Sequence, residues 1–141
     1  MPACGAERRA EEAARLDDVD FAKQITAAMD ARAAFLGPAL SAALADIPMR
    51  HVLEIAGGSG AYACALVDRS PQLRATVFER APVDSAARAL LAERGYSDRI
   101  EVASGDMFTD PLPAHHDEQR RPGTETFDHQ RPGIRRLVCA W

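Results

Sequence analysis

The chain of 141 residues has few lysines, cysteines and aromatic residues. Lys23 is the only lysine, so 16 of the 17 basic residues are arginines, a bias typical of a GC-rich gene. The three cysteines, Cys4, Cys64 and Cys139, lie far apart and have no spacing typical of metal ligands. The sequence therefore predicts no metal site, and we interpret Cys64 as a small buried residue of a helix.

Long apolar runs and a strong excess of one charge are also absent. No run approaches the roughly 20 apolar residues that span a bilayer. The N-terminal segment MPACGAERRAEEAARL has no apolar stretch typical of a signal peptide. A net charge of -4 does not indicate nucleic acid or an anionic membrane as a partner. We therefore expect a cytoplasmic protein with one domain and neither kind of partner.

Helical patterns come first along the chain. Apolar residues at helical spacing begin after Asp20, a plausible N-cap, and Gly37-Pro38 is expected to break that helix. The segment ALSAALADI predicts a shorter second helix that ends at Pro48.

From residue 51 onward, strand and helix patterns alternate. The predicted order is a strand in HVLEIA, a helix at 59–69, a strand in RATVFE at 74–79, a helix from Asp84 to Arg94 closed by Gly95, and a strand in RIEVASGD. Short connections between such elements favour a parallel sheet with right-handed crossovers. The fold class is therefore α/β, with the first half of a Rossmann-like sheet.

A glycine-rich turn in HVLEIAGGSG joins the first of these strands to its helix. The segment from Gly58 to Ala63 matches a loose G-x-G-x-x-A dinucleotide fingerprint. Glycines let backbone amides approach a nucleotide-like ligand closely. The alternative is a tight strand-to-helix turn that binds nothing.

Two acidic residues follow the next two strands. Glu79 comes 19 residues after Gly60, where a carboxylate can accept both ribose hydroxyls of an adenosine group. Asp106 follows the third strand and can accept a hydrogen bond from an adenine amino group. Met107 and Phe108 beside it fit either contact with the adenine ring or packing in the core. A solvated loop acid is the alternative for Glu79, and its pairing with the glycine turn favours the ligand.

Together these segments resemble a known family. VLEIAGGSGAYACALV, ATVFERAPV and DRIEVASGDMFTDPLP are similar to the S-adenosylmethionine-dependent O-methyltransferases, namely the caffeate-type plant enzymes and bacterial relatives acting on small hydroxylated compounds. FAKQITAAMDARAAFLGPAL resembles the helical segment that precedes the first strand in that family. The resemblance covers residues 20–113 and implies an incomplete class I methyltransferase fold with about three parallel strands.

The resemblance also implies a cofactor, S-adenosyl-L-methionine, and the residues that hold it. Glu79 would bind the ribose, and Asp106 with Met107 would bind the adenine. The residues implied at the methionine end are Glu54, Gly57, Gly58 and Gly60. The implied partner is a small aromatic or polyketide-like acceptor with a hydroxyl group. The family is usually homodimeric, and its N-terminal dimerisation domain has no counterpart in this sequence.

The resemblance ends after Pro113. The family continues with a fourth strand that opens on Asp and leads into a Leu-His-Asp/Glu-Trp stretch, whose histidine is the general base. No such stretch occurs here, and His115, His116 and His129 lie among arginines, prolines and glycines without a strand pattern. We therefore assign no catalytic residue. The expected organisation is a solvated segment at 1–19, a partial cofactor-binding domain at 20–113 and an irregular tail at 114–141.

The expected function is that of the cofactor-binding portion of an O-methyltransferase, inactive by itself because the base is absent. One alternative is a non-catalytic nucleotide-binding or interaction remnant that pairs with an intact homologue. Another is a fragment of an NAD-dependent oxidoreductase, because the glycine turn and Glu79 suit NAD as well.

The abrupt change after Pro113 generates a prediction about the gene. If residues 114–141 are an out-of-frame product, one of the other two forward frames will encode a strand followed by an LHxW-like stretch. Translation of the coding DNA in those frames is the measurement. Two frames without that pattern would leave a genuine divergent tail as the explanation.

Overall fold

A parallel sheet of four strands forms the centre of the part of the chain that the computed structural model describes, which is residues 11, 14–15, 17–113 and 134–138. The strands are β1 (His51–Ile55), β2 (Arg74–Glu79), β3 (Ile100–Ser104) and β4 (Ile134–Val138), and the helices are α1 (Val19–Ala43), α2 (Ala61–Val67) and α3 (Val83–Glu93). The spatial order β3-β2-β1-β4 is that of the first half of a doubly wound sheet.

The strand register brings the carboxyl ends of the strands together. Ile55 of β1 pairs with Phe78 of β2, and Phe78 pairs with Ala103 of β3. The residues that follow these three strands therefore meet at one edge of the sheet. This edge is where open α/β sheets bind their ligands.

The sheet carries apolar clusters on its two faces because side chains alternate along each strand. One cluster fills the space between the sheet and the helices, and it includes Val52, Leu66, Val67, Leu73, Val77, Leu91 and Ile100. The other cluster, made by Leu53, Ile55 and Phe78, lies on the opposite face. β1 is thus buried on both faces, as expected for a strand inside a parallel sheet.

Three of the predicted strands and the helices between them are confirmed, with boundary differences of up to two residues. The expected break at Gly37-Pro38 is wrong, because α1 continues through both residues to Ala43. Gly37 is buried, and a Cβ there would lie 3.1 Å from the Cβ of Ala65 in α2. Gly37 therefore permits close packing of two helices, while the exposed Pro38 costs α1 one backbone hydrogen bond.

The predicted caps also differ from the structure. Asp18, not Asp20, is the N-cap of α1, and its Oδ1 accepts from the amide of Phe21 at 2.8 Å. α3 begins after Pro82 without a side-chain cap, and Asp84 lies in its first turn. Gly95 follows the C-cap with a φ of 79°, as expected for a residue that ends a helix.

A fourth strand is the main departure from the expected architecture. The sequence predicted an irregular segment after residue 113, but Ile134–Val138 form β4, parallel to β1 with Ile55 opposite Val138. The run from Ile134 to Val138 is too short for a periodic signal, so its sequence does not indicate a strand. The strand is defined by its pairing with the buried strand β1. His115, His116 and His129 lie outside the described residues. Within the described ranges, no helix combines the length and the apolar character needed to cross a bilayer.

Arg99, just before β3, binds the carbonyls at the end of α2. Its guanidinium donates to the carbonyl oxygens of Val67, Ser70 and Leu73, the last at 3.1 Å. Val67 ends α2, and the last carbonyls of a helix have no partner within the helix, so the Nη2 group of Arg99 is an effective donor there. One side chain thus joins α2, the loop before β2 and the start of β3.

We predict that Arg99→Ala destabilises the fold. The substitution removes three hydrogen bonds from a charged donor, although the carbonyls of Val67 and Ser70 keep the backbone amides of Ser70 and Leu73 as donors. The loss is expected to cost about 1–3 kcal/mol in the free energy of unfolding. Urea unfolding followed by circular dichroism measures the change. Arg32→Ala, at an exposed position of α1, is the matched control and is expected to stay within about 0.5 kcal/mol of the parent. Equal losses in the two variants would contradict the role of Arg99.

Candidate cofactor site

The glycine loop, residues 57–60, leaves β1 at the carboxyl edge of the sheet and leads directly into α2. Gly58 and Gly60 have φ values of 57° and 72°, in the left-handed region that glycine adopts without strain. A Cβ at Gly60 would lie 3.1 Å from Cγ2 of Val77 and 3.3 Å from Cδ1 of Leu91. Conformation therefore favours glycine at positions 58 and 60, and space also favours it at position 60, where the loop passes directly over the core.

Glu54 holds the loop from below. Its side chain is fully buried, and its Oε2 accepts a hydrogen bond from the amide of Ala63 in α2 at 2.9 Å. A Cβ at Gly57 would lie 2.6 Å from Cδ of Glu54, which excludes any other residue at position 57 without rearrangement. The geometry thus gives Glu54 a structural function under the loop, and its predicted part in holding the cofactor stays a prediction.

Glu79, the last residue of β2, reaches the same loop. Its Oε2 accepts from the amide of Gly58 at 3.1 Å, and its Oε1 accepts from the amide of Arg80 at 2.9 Å. Burial raises the pKa of this carboxyl above its ordinary value, and the two backbone amides reduce that effect. Each carboxylate oxygen has a further lone pair, so Glu79 can accept additional hydrogen bonds from a ligand.

The end of β3 adjoins Glu79 through the backbone. The amide of Gly105 donates to the carbonyl oxygen of Glu79 at 3.0 Å, and a Cβ at Gly105 would lie 2.5 Å from the ring of Phe78. Asp106 then forms a tight turn in which its Oδ1 accepts from the amide of Phe108 at 2.8 Å. Its Oδ2 accepts no hydrogen bond from the described residues. The structure therefore brings Glu79 and Asp106 to neighbouring strand ends, as the sequence predicted.

The two apolar residues after Asp106 have different surroundings. Met107 is half-buried and packs against the cluster of Leu53, Ile55 and Phe78. Phe108 is 83% exposed, so core packing is wrong as an interpretation of this residue. An exposed ring beside Asp106 is available for contact with a ligand.

Sequence reasoning missed a cluster that joins α1 to the glycine loop. Met29 of α1 covers Gly58, at 3.4 Å between its Cβ and the position of a Cβ at Gly58. Asp30 accepts two hydrogen bonds from Arg94, at 2.7 and 2.6 Å. These hydrogen bonds lower the pKa of Asp30 against the opposing effect of burial. Sequence offered no signal for a pair 64 residues apart.

Neither a general base nor a metal centre is found in the described ranges. His51 is the only histidine among these residues, and it lies at the amino end of β1, 2.9 Å from Oγ1 of Thr76 and at the edge opposite the glycine loop. No three acidic, cysteine or histidine side chains of the described segments form a group suited to a metal ion. Cys64 is buried as predicted, and burial raises its pKa to about 12, so the thiol is inert.

Comparison with known proteins now decides the family. A family model described as an O-methyltransferase domain matches residues 5–118. The chain belongs to this family. The parallel sheet, the glycine loop and the acidic strand ends are therefore those of an O-methyltransferase domain, and the resemblance seen in the sequence is confirmed.

Three similar proteins illustrate the family. Aclacinomycin 10-hydroxylase RdmB of Streptomyces purpurascens is 45% identical over 65 residues, which are 46% of this chain and 17% of that protein. A mitomycin biosynthesis 6-O-methyltransferase of Streptomyces lavendulae is 46% identical over 56 residues, or 40% of this chain and 16% of that protein. Human N-acetylserotonin methyltransferase, solved in complex with S-adenosylmethionine (SAM), is 25% identical to this chain and has a TM-score of 0.59. The match covers 70% of this chain and 28% of that chain. The chain thus spans less than a third of the length of each of these proteins.

The fit of Gly60 against the core generates a prediction with an internal control. Gly60 and Gly95 both have positive φ, but no atom lies within 4 Å of a Cβ at Gly95. Gly95→Ala is expected to cost only the conformational strain, about 1–2 kcal/mol. Gly60→Ala is expected to cost about 1–3 kcal/mol more because its methyl group crowds the core.

Chemical denaturation of the two variants measures this difference in unfolding free energy. Equal destabilisation by Gly60→Ala and Gly95→Ala would show that space at the loop is not limiting.

Proposed function

We propose that this chain is the SAM-binding part of an O-methyltransferase acting on a hydroxyl group of a small aromatic or polyketide-like molecule. The observation that carries the proposal is the hydrogen bond from the amide of Gly58 to Glu79. It holds the carboxylate of Glu79 directly against a glycine loop whose backbone is open to close approach by a ligand, which supports a contact with ribose hydroxyls. Membership of the O-methyltransferase domain family supports the same conclusion.

Each residue in this proposal has a role that its surroundings allow. Glu79 accepts the two ribose hydroxyls with the lone pairs that the amides of Gly58 and Arg80 leave unused. Asp106 accepts from the adenine amino group through Oδ2, because its own turn uses Oδ1. Met107 contacts the adenine ring from the apolar cluster against which it packs.

The methionine end of the cofactor lies over the glycine loop in this proposal. Gly57, Gly58 and Gly60 allow a close approach, and Glu54 holds their backbone in place from β1. SAM carries no phosphate, so this loop needs only space and acceptor groups for the ammonium end. The carboxylates around the loop also suit the positive charges of the ammonium and sulfonium groups.

The bound cofactor would supply a methyl group on a good sulfonium leaving group, and the residues described here bind and orient it. A phenolic acceptor has a pKa of about 10, so its attack is aided by a base that removes the proton. His51, the only histidine among the described residues, lies at the edge of the sheet opposite the glycine loop and is not positioned to act as that base. That the 141 residues transfer no methyl group by themselves stays a prediction, as does the cytoplasmic location.

The proposed reaction and the proposed cofactor are supported by different observations. Methyl transfer to oxygen follows from the family model and from the mitomycin relative, which is named as an O-methyltransferase. Another relative is named as a hydroxylase. The cofactor site proposed here depends only on the loop and on the acidic strand ends, so it stands whichever reaction the full-length protein catalyses.

We predict that the chain binds S-adenosylhomocysteine and does not bind NAD. Isothermal titration calorimetry with both ligands is the measurement. Glu79→Gln is expected to weaken binding of S-adenosylhomocysteine at least about tenfold, because an amide cannot accept two hydroxyls and two backbone amides. Glu93→Gln, at an exposed end of α3, is the matched control and leaves binding unchanged. Binding of NAD alone would overturn the proposed function.

We also predict a pH dependence of this binding. The ligand favours ionised Glu79, so affinity falls as the pH decreases through the pKa of this carboxyl. Because burial raises that pKa above 4.5, the fall begins at higher pH than an exposed glutamate would give. Titrations from pH 8 to pH 5 test this, with folding checked by circular dichroism at each pH. A profile that Glu79→Gln leaves unaltered would exclude Glu79 as the responsible group.

A further inference from the structure

Strand β3 lies at the end of the described sheet, with β2 as its neighbour on one side. The carbonyl of Arg99 just before the strand and the amide of Gly105 just after it both bond to β2, each at 3.0 Å. Because the backbone groups of successive residues point to opposite sides of a strand, the carbonyl of Val102 points away from β2, where the described sheet has no further strand. A carbonyl at such an edge needs a donor from another element or from water.

Arg88 of α3 supplies this donor. Its Nη2 donates to the carbonyl oxygen of Val102 at 3.0 Å and to Oγ of Ser104, the last residue of β3, at 2.7 Å. Its Nη1 donates at 2.9 Å to Oδ2 of Asp84, one turn earlier in α3. The hydroxyl of Ser104 donates to the same oxygen of Asp84. Asp84, Arg88 and Ser104 therefore form a closed ring of hydrogen bonds, here called the Arg88 cluster.

Asp84 is the buried member of the Arg88 cluster. Its side chain is 6% exposed, against 46% for that of Arg88. Burial by itself would raise the pKa of Asp84, but the hydrogen bonds from Ser104, Arg88 and the amide of Ser85 outweigh burial and lower the pKa. A buried carboxylate that is satisfied in this way stays charged and is fixed in orientation. It thus anchors the guanidinium of Arg88 while that group bonds to β3.

The end of β3 connects the two acids of the proposed adenosine contact. Ser104 pairs with Glu79 in the register of β2 and β3, and Asp106 follows two residues later. β2 holds this end from one side through the amide of Gly105, and the Arg88 cluster holds it from the other. Asp106 is bonded within its own turn, to residues 108–110. The position of this turn relative to Glu79 therefore depends on how the end of β3 is held.

We propose that the Arg88 cluster positions Asp106 relative to Glu79 and thereby sets the selectivity of the site for adenine over other bases. This inference rests on the proposed function for the identity of the cofactor. Arg88 is a positioning residue that acts through the end of β3 and is not itself a ligand. The selectivity of the site thus depends on α3, a helix that carries none of the proposed ligands.

Two ligands that differ at the base test this proposal. S-inosylhomocysteine has a carbonyl where S-adenosylhomocysteine has the adenine amino group, and a carbonyl cannot donate to Asp106. Calorimetry gives the ratio of the two dissociation constants. We expect the parent chain to bind S-adenosylhomocysteine at least about tenfold more tightly than S-inosylhomocysteine.

Arg88→Met is the diagnostic variant because it keeps a long, helix-favouring side chain without the donors. Under conditions where circular dichroism shows each variant folded, we expect Arg88→Met to reduce the ratio to within about threefold. Ser104→Ala is expected to give a similar reduction that is not additive with it. Arg69→Met is the matched control, since Arg69 also joins two elements, by donating to the carbonyls of Ser41 and Leu44 beyond the end of α2. It is expected to leave the ratio unchanged.

Hydrogen exchange on the ligand-free, 141-residue chain supplies a readout that needs no cofactor. Peptides covering residues 102–110 are expected to exchange about tenfold faster in Arg88→Met than in the parent, and at the parent rate in Arg69→Met. Equal weakening of both ligands in Arg88→Met, with the ratio intact, would overturn the proposal, as would unchanged exchange at 102–110. A parent that binds neither ligand would refute the proposed function, and the exchange data would then still decide whether the Arg88 cluster holds the end of β3.

Discussion

The site depends on a buried carboxylate beneath a residue without a side chain. Glu54 is fully enclosed and bonds to the amide of Ala63, and this arrangement exists only because Gly57 leaves the space that a Cβ would occupy. A buried charge is costly unless it is hydrogen-bonded, and the first amides of a helix are donors that lack partners within the helix. The same contact therefore satisfies the carboxylate and fixes the loop between β1 and α2.

Three different elements surround this loop. Glu54 of β1 and Glu79 of β2 each accept a hydrogen bond from the loop or from the helix that follows it, and Met29 of α1 covers Gly58. Backbone amides at such a loop and helix start carry partial positive charge, which carboxylates complement. The loop is consequently held from below, from the neighbouring strand and from the covering helix, while its glycines remain open to close approach.

Sequence patterns predicted those parts of the structure that depend on residues close together in the chain. The strand at 51–55, the glycine turn and the acids at the carboxyl ends of β2 and β3 could be predicted, because parallel strands bring their carboxyl ends to one edge. The Asp30–Arg94 pair could not be predicted, since it joins residues 64 positions apart. Gly37-Pro38 was misread as a break because the contact with Ala65 that favours glycine there is tertiary. β4 was also missed because it depends on a tertiary contact: the strand forms by pairing with β1, and its own sequence pattern does not indicate it.

The pKa shifts of Asp30 and Glu79 have opposite directions, so the two carboxyls affect stability differently as the pH changes. Asp30 has a lowered pKa, so it contributes stability above its unfolded pKa that is lost as the pH falls through its folded value. Glu79 has a raised pKa, so its contribution is present below its unfolded pKa and is lost as the pH rises through its folded value. Asp30 therefore stabilises the fold above its unfolded pKa, whereas Glu79 no longer does so above its folded pKa. In the proposed function, hydrogen bonds from ribose hydroxyls to Glu79 offset that loss.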